Sequence, residues 1–183
     1  MDELERLAAD AVDGDPVAAA ALVRATQSDV WRMCAALGDR QSADDLTQET
    51  YLRAFGSLHR FEGRSSLRTW LLSIARRVCA DALRSRRRRR LTLVRDDVDL
   101  EALSAADGAD RVGESAVVAD LLGRLDADRR EAFVLTQLLG LPYAEAAEVA
   151  GCPVGTIRSR VARARADLVE ALTAREDGGA AEG

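Results

Sequence analysis

The sequence predicts an all-α protein made of two small helical domains joined by a flexible acidic linker. Composition is the first reason. Alanine and leucine abound, aromatic residues make up 4% of 183 positions, and no alternating apolar–polar run marks a strand. The second reason is a charge pattern hidden inside a net charge of −5. Acids outnumber bases over residues 1–29, and twelve arginines then face only Glu62 and Asp81 from Arg60 to Arg95. Acids return from Asp96 to Glu114. The third is the loss of helical periodicity across 91–113, a stretch rich in Asp, Ala, Ser and Gly. Together these place an N-terminal domain at 1–90, the linker at 91–113, a C-terminal domain at 114–176 and a disordered tail at 177–183.

Within the first domain, Asp15 and Pro16 start a helix that runs to about Leu37, with proline at the first position, where its missing N–H costs nothing. Gly38 and Asp39 break it. Ser42 is expected to cap the next helix, 43–58, with Asp45 three residues on at the end that favours acids. Residues 59–64 form a loop. Ser65 or Ser66 then caps a long helix from Leu67 to about Arg88, whose apolar stripe is Leu67, Leu71, Ile74, Val78 and Ala82. Thr69, Arg76, Arg77 and Arg84 fall on its outer half, and Trp70, on the flank of the stripe, is expected to pack in the core. In the second domain a helix covers 114–125. Asp126 caps another, 128–139, which carries Phe133, Val134 and Leu138 into the core before Gly140 ends it.

The stretch 142–168 has the outline of a helix-turn-helix: a short helix to Gly151, a tight turn through Cys152 and Pro153, and an arginine-studded helix from Val154. At about 100° per residue, Ile157, Val161, Ala164 and Leu168 make one apolar stripe. Arg158, Ser159, Ala162 and Arg163 lie opposite, with Thr156, Arg160 and Arg165 on the flanks. An arginine fork reads guanine O6 and N7 or grips phosphate, serine and threonine do either more weakly, and a helix N-terminus suits phosphate. The bland alternative is a solvated basic face. The glycine turn, the proline start and the segregated arginines favour DNA contact.

Other chemistry is poorly supported. Cys34, Cys79 and Cys152 are scattered without metal-ligand spacing, so neither a metal site nor a disulfide framework is expected, and the thiols fit a reducing cytoplasm. The chain has no lysine, hence no Walker A motif and no lysine Schiff base. His59 is the only histidine and stands near no nucleophile motif. No cofactor and no enzymatic activity are expected. No membrane association is expected either, for want of an apolar span or a signal peptide.

Three segments, SADDLTQETYLRAF at 42–55, RFEGRSSLRTWLLSIARRVCADALR at 60–84 and REAFVLTQLLGLPYAEAAEVAGCPVGTIRSRVARARADL at 130–168, closely resemble an extracytoplasmic-function (ECF) sigma factor. The resemblance implies core RNA polymerase and promoter DNA as partners. It places Asp44, Asp45, Gln48, Glu49 and Arg53 against the β′ clamp helices, and the C-terminal domain against the β flap. It assigns the single-stranded −10 element to His59, Phe61, Arg64 and Ser65, whose loop would hold a flipped base, and to Arg68, Arg76, Arg77 and Arg84, which would hold the backbone. Arg77 stands where many members carry asparagine, which leaves the base read there open. The −35 duplex falls to Thr156, Arg158, Ser159, Arg160, Ala162, Arg163 and Arg165. The run 86–90 would bind phosphate without sequence preference. The linker would thread the polymerase cleft, and an anti-sigma factor joins the expected partners. The rival reading is a self-sufficient helix-turn-helix regulator that binds its operator as a dimer without polymerase.

Overall fold

Caps and breakers set the helix boundaries in the computed structural model, which describes residues 2–95 and 114–179. Asp2 and Glu5 form a reciprocal capping box that starts α1, Glu3–Val12, a helix the sequence reading did not anticipate. Asp15 accepts from the Val17 amide at 2.7 Å and, with Pro16, opens α2, Pro16–Leu37. Gly38 ends it because nothing larger fits: an added Cβ would lie 2.8 Å from the Cys34 carbonyl oxygen and 2.5 Å from Leu46 Cδ1. Ser42 precedes α3, Ala43–Ser57, but does not cap it with its side chain; its hydroxyl donates to Asp39 instead. Asp44 and Asp45 in the first turn supply the favourable charge at that end. A 3₁₀ turn, Leu58–Arg60, leads to the loop, and Ser66 Oγ accepts from the Thr69 amide at 3.1 Å to cap α4, Leu67–Arg95. This helix continues through the arginine run rather than stopping near Arg88.

The second domain contains α5, Glu114–Arg124, and α6, Ala127–Phe133, capped by Asp126 through the Asp128 amide at 3.0 Å. A π-helical turn follows over Val134–Leu138, closed by the Leu139 amide on the Val134 carbonyl at 2.9 Å. The wider turn shifts the face by one position. Leu138, expected in the core, is 39% exposed, while Leu135 and Leu139 are buried. Then come α7, Tyr143–Ala150, and α8, Val154–Gly179. The helix therefore runs past 177, where a disordered tail was expected. The linker residues 96–113 and the end of the tail lie outside the described residues.

Among the described residues every regular element is helical, and no helix is long and apolar enough to cross a membrane. The two helical domains are packed on each other. One core runs continuously from Val30, Met33, Leu72, Ala75 and Val78 in the first to Leu122, Leu135, Val149, Ile157 and Val161 in the second. A smaller cluster, Ala8, Leu22, Leu58 and Leu67, sits beneath α1. Each fully buried leucine or isoleucine contributes about 1.5–3 kcal/mol over its exposed state. Cys34 and Cys79 are buried and Cys152 half-buried, all unpaired. The neighbouring Cys34 thiol, and burial with it, push Cys79 up, so it stays a protonated core residue.

Gly151 carries the turn of the helix-turn-helix in the left-handed region, at φ 66°, with open space where a Cβ would go. Gly151→Ala is therefore expected to cost backbone strain alone, about 1–2 kcal/mol, read as a fall in the thermal midpoint of several degrees. An unchanged midpoint would contradict the assignment.

Candidate nucleic-acid interface

The helix-turn-helix is held by its turn. The Cys152 amide donates to the Ala147 carbonyl at 3.1 Å and the Gly151 amide to Glu148 at 3.2 Å, so the glycine both ends α7 and aims α8. Ile157, Val161 and Ala164 are buried along one side of α8, and Arg158, Ser159, Ala162 and Arg163 are exposed on the other. Arg158 and Arg163 make no ion pair or side-chain hydrogen bond among the described residues. The flanks are less free. Arg160 pairs with Asp128 of α6, Arg165 donates to Gln137 Oε1 at 2.7 Å, and the half-buried Thr156 spends its amide on the Pro153 carbonyl at 2.9 Å. Arg129 pairs with Asp167 at 2.7 Å and ties the middle of α8 to α6.

On the N-terminal domain the expected residues separate into groups. Asp45 and Gln48 are exposed on α3, and Leu52, one turn on, is 71% exposed beside them. Asp44 accepts from Trp31 Nε1 at 2.7 Å. Trp31 with Gln27, Ser28, Arg32, Thr47 and Gln48 borders an open groove of about 740 Å³ between α2 and α3. Glu49 and Arg53 pair at 2.7 Å, and Arg53 also reaches Asp81 of α4 at 2.8 Å, so both serve the α3–α4 contact. Arg84 pairs with Asp81 as well. In the loop, His59 is exposed and accepts from Arg60 Nε at 3.2 Å, Arg64 pairs with Glu62 at 2.5 Å, and Ser65 is half-buried. Phe61 packs on Trp70 with ring centroids 5.4 Å apart, and Trp70 joins the core as expected. Arg77 is exposed on α4.

Arg68 and Arg76 point elsewhere, toward the second domain. Arg76 grips the Glu131 carboxylate of α6 through Nε and Nη2, the latter at 3.3 Å. Glu131 is 8% exposed, and its hydrogen bond raises the Arg76 pKa. Arg68 pairs with Asp29 and donates through Nη2 to the Leu139 carbonyl at 2.6 Å. Thr69, expected on the outer half of its helix, is buried and donates to Glu145 of α7 at 2.8 Å. A polar clamp thus joins α4 to α6 and α7.

A family model described as Sigma-70 region 2 matches residues 22–89, and one described as Sigma-70, region 4 matches 115–168. The "ECF RNA polymerase sigma factor SigC" of Mycobacterium tuberculosis is 53% identical over 165 residues, covering 89% of this chain and 88% of that protein. The chain belongs to the ECF RNA polymerase sigma factors. Matches to both regions, rather than to the helix-turn-helix alone, favour a promoter-specificity subunit of RNA polymerase over a self-sufficient regulator. Two solved structures share the sigma-factor fold. CnrH, in complex with the cytosolic domain of CnrY, aligns at TM-score 0.72 and 32% identity over 94% of this chain and 99% of that one. The sigma factor RpoE of Bartonella quintana, in complex with the anti-sigma factor NepR, aligns at 0.67 and 29% over 82% and 94%.

Four residues of these surfaces were missed from sequence. Trp31 and Leu52 border the α3 face, and Glu131 and Glu145 hold α4. Glu131 carried a signal: it lies one turn before the fully buried Leu135, so a carboxylate occupies a core-facing position and needs a cation. Removing it by Glu131→Ala leaves Arg76 half-buried and unpaired. Such losses cost 3–5 kcal/mol in a dry core; discounted for Arg76, 37% exposed, about 1–2 kcal/mol is expected. Chemical denaturation checks it, and a change within error would show that the pair holds nothing.

Proposed function

We propose that this sigma factor works as a non-enzymatic, dissociable subunit of cytoplasmic RNA polymerase, and that its closed form covers part of its own promoter-reading surface. The observation that carries the proposal is two separate basic faces on one chain. Arg158 and Arg163 stand exposed on α8, within the region 4 match, and Arg77 with the run 86–90 stands exposed on α4, which the region 2 match covers to residue 89. On this reading α8 enters the major groove of the −35 duplex, where an arginine fork fits guanine. The loop after α3 and the outer face of α4 take the −10 strand, where extruding a base costs a few kcal/mol that binding must offset. Asp45, Gln48 and Leu52 meet the β′ clamp helices, with opposite charge setting register, and the second domain meets the β flap.

Arg68 and Arg76 join only when the domains part. A guanidinium that holds a carboxylate fits a phosphate equally well, so the clamp exchanges Glu131 for DNA. CnrH and RpoE were each solved with a partner protein, which supports a cytosolic anti-sigma factor for this chain too, one that favours the closed form.

Run-off transcription with core polymerase tests the reading. Arg163→Ala is expected to weaken use of a cognate promoter by about 1–3 kcal/mol, and far less on templates with a scrambled −35 element. Equal loss on both would leave phosphate contact only. Asp45→Arg is expected to weaken holoenzyme assembly by about tenfold, or about 1.4 kcal/mol, and unchanged assembly would remove α3 from the polymerase interface.

A further inference from the structure

We propose that the seam between the two domains is a binding site for a small anion with an apolar body, an aromatic or medium-chain carboxylate or sulfonate. A cavity of about 420 Å³ opens there. Trp31, Ala35 and Ala36 of α2 form one wall, and Val118 and Leu122 of α5 with Leu138 form the other. The volume falls in the range of small-molecule sites, about 300–1,000 Å³, which combine apolar walls with a few convergent polar groups. Val118 and Leu138 are 49% and 39% exposed, apolar surface that a ligand body would remove from water.

The rim sets the sign of the ligand. Arg32, Arg40 and Arg130 face a single acid, Asp39. That carboxylate is already engaged: it accepts from the Ser42 amide at 2.9 Å and from the Ser42 hydroxyl, and pairs with Arg86. Arg40 lies over the Trp31 ring at 5.7 Å, where it can also meet an anion. Arg130 uses Nη2 on the Gly123 and Leu125 carbonyls at 2.9 and 3.1 Å, which ties off the end of α5. Its Nε is buried without an acceptor, alone in this among the described side chains. The Arg130 guanidinium is thus only partly satisfied, and its positive charge adds to that of Arg32 and Arg40 where it borders the cavity. Each domain supplies one wall, so a bound anion would fasten the closed form.

Anilinonaphthalene sulfonate, an apolar anion that brightens out of water, tests the site on the full-length chain. One saturable site per chain is expected, displaced by decanoate. Ala36→Trp, which fills the cavity, should weaken binding by about tenfold, or about 1.4 kcal/mol. Arg40→Glu reverses an exposed rim charge without touching the core and should weaken it by about fivefold, so the test stands even if the tryptophan variant misfolds. Affinity within about twofold of wild type in Arg40→Glu, or binding that never saturates, overturns the proposal. So does dye that an acidic amphipathic peptide displaces and decanoate does not, which would give the seam to a protein partner. The measurement uses neither polymerase nor DNA, so its failure leaves the promoter reading untouched.

Discussion

Glu131 is 8% exposed at a position of α6 that faces the core, and Arg76 of α4 supplies the cation its carboxylate requires. Much of the molecule follows from that pair. It fixes the face that α4 turns to the second domain, and it lies beside two further polar contacts, Arg68 to the Leu139 carbonyl and Thr69 to Glu145. All three draw on α4 residues within the region 2 match. A guanidinium cannot grip a buried carboxylate and a DNA phosphate at once, so the closed packing and full use of α4 for DNA exclude each other.

The two basic faces, on α8 and on α4, respond differently to that exclusion. On α8 the apolar stripe packs against its own domain, which leaves Arg158 and Arg163 outward whether or not the domains touch. On α4 the stripe serves the first domain, but the next face around the helix packs on α7. Closure therefore covers Arg68 and Arg76 and spares Arg77, Arg158 and Arg163. The contact is partly polar and Arg76 keeps 37% of its side-chain surface exposed. Water can replace those polar contacts at modest cost, so the shared apolar core is the larger cost of opening, one that polymerase binding has to offset.

Helix starts and breaks were largely legible in the sequence. Asp15 with Pro16, Gly38, Asp126 and Gly151 act locally, and each does its expected work. Misses arose where a second interaction competed. Ser42 had a nearer acceptor in Asp39, and the π-helical turn at Val134–Leu138 moved Leu138 outward by a wider turn that no residue type announces. The α1 helix was missed although Asp2 and Glu5 spell a capping box, because its short length gave little periodicity. At the candidate site, angular placement recovered the α8 face, since that face depends on one helix. It could not tell that Arg68 and Arg76 meet another part of the same chain, because contacts across more than fifty residues leave no local pattern. Only Glu131, a charge on a core-facing position, hinted at it.

Polymerase binding has to separate the domains if Arg68 and Arg76 are to meet DNA. To admit a nucleic-acid strand to Arg68 and Arg76, α4 and α7 must part by at least one helix diameter, about 10 Å. Val17 on α2 and Val169 on α8 are 69% and 63% exposed and outside the proposed interfaces. Spin labels placed there by Val17→Cys and Val169→Cys, in a chain with Cys152→Ser, report that separation by pulsed dipolar spectroscopy. One short distance is predicted for the free chain, and a distance longer by about 10 Å or more once core polymerase binds. An identical distance in both states would contradict the closed-to-open account.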